Sequence, residues 1–294
     1  MAAGIRGFRE DALIPDLTPE QLSVLYNNRL AVPDYAEYLE RWQRRSAALR
    51  EREKYRADIA YGPRPRNLID LFVPDGPGSA PLLVYLHGGY WQMLGKHDWS
   101  WIAEPWLARG MAVAIVGYTL CPETTVAGIV AEVEAACAHL YLNADALGID
   151  RERIHLAGHS AGGHLTAMLL TVDWSKRDAS MPLHLFRSAV AISGVFDLEP
   201  LTQTYLNDAL RLTRKDALAV SPIFRNNLGG TPLLVVVGAS ETAEFLRQSR
   251  EFCAAWGGAP RLEAVRLNHF SIVEAFCDPD SAVFDEAWQR FGGH

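Results

Sequence analysis

Cysteine is scarce in this 294-residue chain: Cys121, Cys137, Cys253 and Cys277 are its only four, and none form a C-x-x-C pair. That spacing argues against a disulfide framework or a zinc ribbon, so free thiols in a reducing compartment are expected. No apolar run approaches the ~20 residues that a membrane span requires. Residues 1–20 carry Arg6, Arg9, Glu10, Asp11 and Asp16 and lack the apolar core of a signal peptide. A cytoplasmic protein without a membrane partner is therefore expected. Basic residues are in deficit, 28 Lys and Arg against 35 Asp and Glu, and the net charge of −7 argues against a nucleic-acid surface. Neither a phosphate-binding G-x-x-x-x-G-K-[ST] loop nor a strand-linked G-x-G-x-x-G is found, and H-E-x-x-H is missing. His155, His159 and His164 are close in sequence, but strand, turn and helix would point them apart. No cofactor and no metal are expected.

What is present is a globular composition, 49% hydrophobic and 10% aromatic, in a chain long enough to bury a large core. Thr18-Pro19-Glu20-Gln21 is a capping-box pattern that predicts a helix start. Tyr35, Tyr38, Leu39, Trp42, Ser46 and Leu49 recur at helical spacing and predict a helix from Asp34 to Arg52. Its other face mixes arginine and glutamate, the mark of a solvated surface. Residues 1–58 are expected to form a helical cap, and 59–294 the catalytic part of one structural domain.

From residue 59 onward, short apolar runs alternate with helical segments. Strands are expected at Asn67–Val73, Leu82–His87, Ala112–Gly117, Arg153–Gly158, Ser188–Ser193, Leu233–Gly238 and Leu262–Leu267. The runs at 82–86, 112–116 and 233–237 are continuously apolar, as in parallel strands buried on both faces. Helices are expected at Trp99–Arg109, Val126–Leu140, Ala161–Val172, Glu241–Trp256 and Ser281–Phe291, with Cys137 on a buried stripe. The pattern describes an α/β fold, a mostly parallel sheet with helices on both faces. Residues 197–230 break the alternation and are expected to form a lid.

Gly158-His159-Ser160-Ala161-Gly162 lies between an expected strand and an expected helix, the setting of a nucleophile elbow. Glycines two residues either side of Ser160 let strand and helix approach, and the helix N-terminus favours developing negative charge. His87-Gly88-Gly89-Tyr90-Trp91 ends an earlier strand. The N–H groups of Gly88, Gly89 and Ala161 are candidate donors for a tetrahedral oxyanion. His87 is expected to brace that loop.

A serine needs a base, and the order serine, acid, histidine selects His269 over His184 and the terminal His294. Glu241 closes the strand before it and is the preferred acid. Glu244 and Asp197 are competitors. Tyr90, Trp91 and His159 are expected to bind substrate. Tyr90, Trp91, Trp99, Trp101 and Trp106 form an aromatic cluster that core packing would also explain.

Together these residues resemble the α/β-hydrolase fold. More narrowly, HGGYW at 87–91, GHSAGGHL at 158–165, Glu241–Phe245 with Arg247–Ser249, and His269-Phe270 resemble the kynurenine formamidase (arylformamidase) branch, related to the hormone-sensitive-lipase-like esterases. The likeness covers most of the chain, including Tyr26-Asn27-Asn28 and Ser193–Leu198. It implies a triad of Ser160, Glu241 and His269, with Gly88, Gly89 and Ala161 as oxyanion donors. The acid is Glu here where the animal enzymes carry Asp. The implied activity is hydrolysis of small-acyl (formyl or acetyl) aryl or enamine-type amides, N-formylkynurenine being the reference. A general short-chain carboxylesterase would use the same residues, and a non-catalytic member of the fold would commonly have lost the serine or histidine kept here. The expected partner is a small-molecule amide or ester, and the sequence leaves a homodimer open.

Overall fold

The computed structural model describes residues 17–293 except 77 and 229. The first sixteen residues of the expected cap, which make up most of the charged N-terminal stretch, and His294 lie outside the described residues. The eight strands are β1 (Tyr55–Ala60), β2 (Leu68–Phe72), β3 (Ala80–Leu86), β4 (Ala112–Val116), β5 (Ile149–His159), β6 (Ser188–Ile192), β7 (Leu233–Gly238) and β8 (Arg261–Ala264). They form one sheet in the order β1-β2-β4-β3-β5-β6-β7-β8. The pairs β1–β2 and β2–β4 are antiparallel and every later pair is parallel. The mostly parallel sheet with helices on both faces is the α/β-hydrolase architecture.

Why both faces are covered follows from the strands. In β3, Leu82, Val84 and Leu86 turn to one hydrophobic core while Leu83 and Tyr85 turn to another, because successive side chains alternate across a strand. The first core is closed by α5 (Val126–Leu142), by α7 (Ala161–Leu169) and by α10 (Ala243–Ala255), through Ile129, Leu165 and Phe252 among others. The second is closed by α3 (Tyr35–Arg52), α4 (Ala103–Leu107), α11 (Ser271–Phe276) and α12 (Ala282–Arg290), through Trp42, Trp106, Phe276 and Phe284. The short α6 (Ala144–Leu147) leads into β5.

Before α3 come α1 (Pro19–Leu25), with the expected capping box of Thr18 and Gln21, and α2 (Asn28–Ala31). Between β6 and β7, the chain crosses the C-terminal strand ends as turns plus α8 (Asn207–Leu210) and α9 (Arg214–Ala219). The two excursions meet where the Ser23 hydroxyl accepts from the Tyr205 N–H at 3.3 Å.

Three elements differ from the sequence expectation. β1 was not anticipated: its Tyr-Arg-Ala-Asp-Ile-Ala sequence is largely solvent-facing, and it is held as an edge strand with Tyr55 stacked on Phe72 at 4.8 Å. It also crosses the 58/59 boundary. The segment Trp99–Arg109 is not one helix; 3₁₀ turns at Lys96–Asp98 and Ser100–Ile102 precede α4. The last strand stops at Ala264 because Arg266 takes a left-handed φ of 64°.

Candidate active site

β5 ends at His159 and α7 begins at Ala161, so Ser160 is the single residue of the turn, with φ 57° and ψ −117°. A serine avoids that conformation unless its surroundings impose it. Two glycines make the imposition feasible. A Cβ on Gly162 would stand 1.9 Å from the Leu86 carbonyl oxygen, and one on Gly158 2.3 Å from that of Gly162. The Ser160 N–H donates to the Ile192 carbonyl at 2.8 Å, tying the turn to β6.

His269 lies in the turn before α11. Its Nδ1–H donates to Glu241 Oε2 at 2.7 Å, and both side chains are buried. Glu241, just past β7, has its other oxygen occupied: Oε1 accepts from the Gly238 N–H at 2.8 Å and from the Ser193 hydroxyl. This arrangement fixes the imidazole tautomer, with the proton on Nδ1 and the Nε2 lone pair free. The competing carboxylates are otherwise engaged. Glu244 takes a bidentate pair from Arg247 (2.9 and 2.7 Å) and the Tyr26 hydroxyl at 2.7 Å. Asp197 accepts from the Glu199 N–H at 3.0 Å, and burial pushes its carboxyl up to about 6. Neither meets His269.

After β3, Gly89 (φ 120°), Tyr90 (49°) and Trp91 (57°) run in succession with positive φ. His87 braces this loop: its Nδ1–H donates to the Gly88 carbonyl at 2.7 Å, its ring stacks on Tyr118 at 4.2 Å, and Tyr118 Oη–H donates to its carbonyl at 2.7 Å. Burial pushes this imidazole down to about 3, so it is a neutral strut. A Cβ on Gly88 would lie 3.2 Å from that of Ser160, so the glycine backbone backs onto the serine. Among the described residues, the N–H groups of Gly88, Gly89 and Ala161 have no acceptor within the protein.

A cavity of about 400 Å³ joins these parts, with Ser160, His269, Gly89, Tyr90 and His159 on its wall. The N-terminal region supplies Asn27–Leu30, Leu39 and Trp42, and the crossover after β6 supplies Tyr205 and Leu206.

The BD-FAE family model matches residues 69–254, which span β2 to α10. The chain belongs to the BD-FAE family. A kynurenine formamidase from Danio rerio is 32% identical over 231 residues, covering 75% of this chain and 76% of its own. A crystal structure of a proposed thioesterase from Silicibacter sp. superposes with a TM-score of 0.81 at 33% identity, over 90% of this chain and 98% of that one. The hyperthermophilic esterase of Pyrobaculum calidifontis shares the fold, at TM-score 0.66 and 19% identity over 94% and 97% of the two chains. This BD-FAE member is an α/β-hydrolase enzyme of the formamidase or carboxylesterase kind.

Within the BD-FAE chain, the expected pocket residues divide. Tyr90 and His159 reach the cavity wall, whereas Trp91 is fully buried, edge-on to His164 at 5.0 Å. Trp101 and Trp106 pack in the core, and Trp99 reaches both core and cavity. His159 is pushed well below the ordinary histidine range, first by burial. Its Nε2–H donates to the His269 carbonyl at 2.8 Å, so it anchors the turn that carries His269. His155 and His164 bond elsewhere, to Ser188 and to the Val220 carbonyl. Among the described residues, no group of three or more His, Cys, Asp or Glu is placed to hold a metal ion.

Sequence reasoning missed two residues. Ser193 follows β6, the neighbour of β7, and its hydroxyl donates to Glu241; only the strand order places them together. Asn28 is buried on the cavity wall. Tyr90 gives its one hydroxyl proton to the Tyr26 carbonyl (2.6 Å), so the Asn28 atom that meets it at 3.4 Å is the amide nitrogen. Asn28 Oδ1 is then an acceptor with no partner.

Proposed function

We propose that Ser160, His269 and Glu241 act as a catalytic triad that removes a small acyl group, formyl or acetyl, from an aryl or enamine-type amide. The observation that carries this is the buried 2.7 Å Glu241–His269 pair beside a strained serine on the same cavity wall. Ser160 Oγ attacks the acyl carbon as its proton passes to His269 Nε2, and Glu241 stabilises the imidazolium. The carbonyl electron pair moves onto oxygen, where the N–H groups of Gly88, Gly89 and Ala161 receive it. Collapse expels the amine, which leaves with the proton held by His269. Water then repeats the route and releases the acid.

On the acyl side, Tyr90 is locked by its hydrogen bond to Tyr26, which supports a pocket for few heavy atoms. On the leaving-group side, residues 1–58 are proposed as cap and 197–230 as lid, and aromatic and apolar walls from Trp42, Leu206 and Phe270 suit a ring. The unpartnered Asn28 Oδ1 favours an amide over an ester, because an N–H can donate to it and an ester oxygen cannot. Four buried free cysteines fit a cytoplasmic setting.

The test pairs labelling with turnover. A serine-directed phosphonate is expected to add once, on Ser160, and not to label Ser160→Ala. Formanilides and short p-nitrophenyl esters are expected to turn over, with kcat/KM falling steeply as the acyl chain lengthens. An unlabelled but active wild type would refute the triad. An optimum at octanoate would refute the small acyl pocket.

A further inference from the structure

At the end of the sheet opposite Ser160, where the parallel strands begin, a second cleft of about 600 Å³ opens. It is walled by the starts of β3 to β6 and by Trp288 and residues 290–293, at and after the end of α12. Four arginines line it, Arg109, Arg153, Arg187 and Arg290, with no aspartate or glutamate among the lining residues. In a chain of net charge −7, that grouping is against the run of composition. Like charges gathered in a cleft repel, and a bound anion relieves them.

The side chains are arranged for such a guest. Arg109 lies over the rings of Phe284 and Trp288, 4.2 and 5.6 Å from their centroids, which holds its guanidinium plane and leaves its N–H edge for a ligand. Arg153 gives Nε to Asp150 at 2.6 Å. Arg109, Arg187 and Arg290 make no ion pair among the described residues, and Arg290 Nε is buried without an acceptor. His155 is buried on the same wall with Nδ1 against Ser188 Oγ at 2.8 Å. Its imidazole is pushed down to about 4, by burial first and then by Arg187 and Arg153, so the cluster's field is felt at the cleft wall.

We propose that this cleft is a binding site for a small phosphate-bearing anion, separate from the hydrolytic pocket. Arginines approaching from four chain segments need acceptors pointing in several directions. A tetrahedral phosphate offers these, whereas a planar carboxylate satisfies one fork at a time. The site is independent of the triad assignment, since it shares no side chain with it.

Isothermal titration of the full chain with inorganic pyrophosphate, inorganic phosphate and citrate tests this. Pyrophosphate is expected to fill one saturable site. Arg187→Gln and Arg290→Gln are each expected to weaken it about tenfold, the loss of one charge-assisted bond. Phosphonate labelling of Ser160 is expected to be unchanged in both variants, and Arg187 is exposed, so its replacement leaves the fold intact. No saturable heat, affinity indifferent to both substitutions, or citrate binding more tightly than pyrophosphate would overturn the proposal.

Discussion

Replacing Glu241 by glutamine exchanges one oxygen for an NH₂ and is expected to silence the enzyme without unfolding it. The structure dictates which way the new amide turns. Glu241 Oε1 accepts from both the Gly238 N–H (2.8 Å) and the Ser193 hydroxyl, and only a carbonyl oxygen can keep those two bonds. The NH₂ must then face His269 Nδ1, now 2.7 Å from a donor instead of an acceptor. The imidazole answers by moving its proton to Nε2, and the lone pair proposed to receive the Ser160 proton is gone. Triads locked in the wrong tautomer lose about 10⁴-fold in kcat, roughly 5.4 kcal/mol of barrier. Turnover of an aryl formamide or acetate, with thermal melting as the control for folding, reads this out. Asp197→Asn, whose carboxylate bonds to the Glu199 N–H and not to His269, is expected to stay within about threefold of wild type. A Glu241→Gln enzyme with more than a tenth of wild-type kcat, or a crippled Asp197→Asn, would refute the assignment of the acid.

Asn28→Leu is expected to lower kcat/KM about tenfold for amides that can donate to Oδ1 and to leave esters nearly unchanged, one hydrogen bond being worth about 1.4 kcal/mol; equal losses on both classes would point to packing instead. Gly162→Ala would force a methyl to 1.9 Å from the Leu86 carbonyl, and is expected to cost more than about 4 kcal/mol in urea unfolding or to abolish folding. Stability is expected to fall as pH drops below about 6. His87, His155 and His164 are pushed by burial down to about 3, 4 and 4, so the unfolded chain takes up protons near 6.5 that the folded one refuses. Asp197, raised to about 6, acts in the opposite sense, binding its proton more tightly when folded. Three protons less one, with His159 pushed down by burial in the same sense, leave a slope of at least about 2.7 kcal/mol per pH unit around pH 5, and a flat urea midpoint from pH 7 to 4.5 would contradict it.

Local sterics and patterning wrote a good part of this protein into its sequence. The elbow at Gly158–Gly162 was readable because only glycines tolerate contacts as close as those to Leu86 and Gly162 itself. The strands β3, β4 and β7 were readable because an unbroken apolar run has nowhere to go but a sheet covered on both faces. Where neighbours far along the chain decide, sequence could not. Chain order and position prefer Glu241 over its competitors Glu244 and Asp197, but only the sheet order sets Ser193 and His269 around the first, Arg247 and Tyr26 around the second, and the Glu199 backbone beside the third. β1 is a strand only because β2 offers it an edge, since its own residues are largely polar. The positive φ values of Tyr90 and Trp91 run against local preference and are imposed by the packed loop around His87. The same holds for the arginine cleft, whose four cations are separated by up to 181 residues and brought together because the parallel strands begin at a common edge and the end of α12 packs beside it. A residue's conformation is set largely within a few neighbours, whereas the partner of a charge or a hydroxyl is set by which segments the core brings side by side.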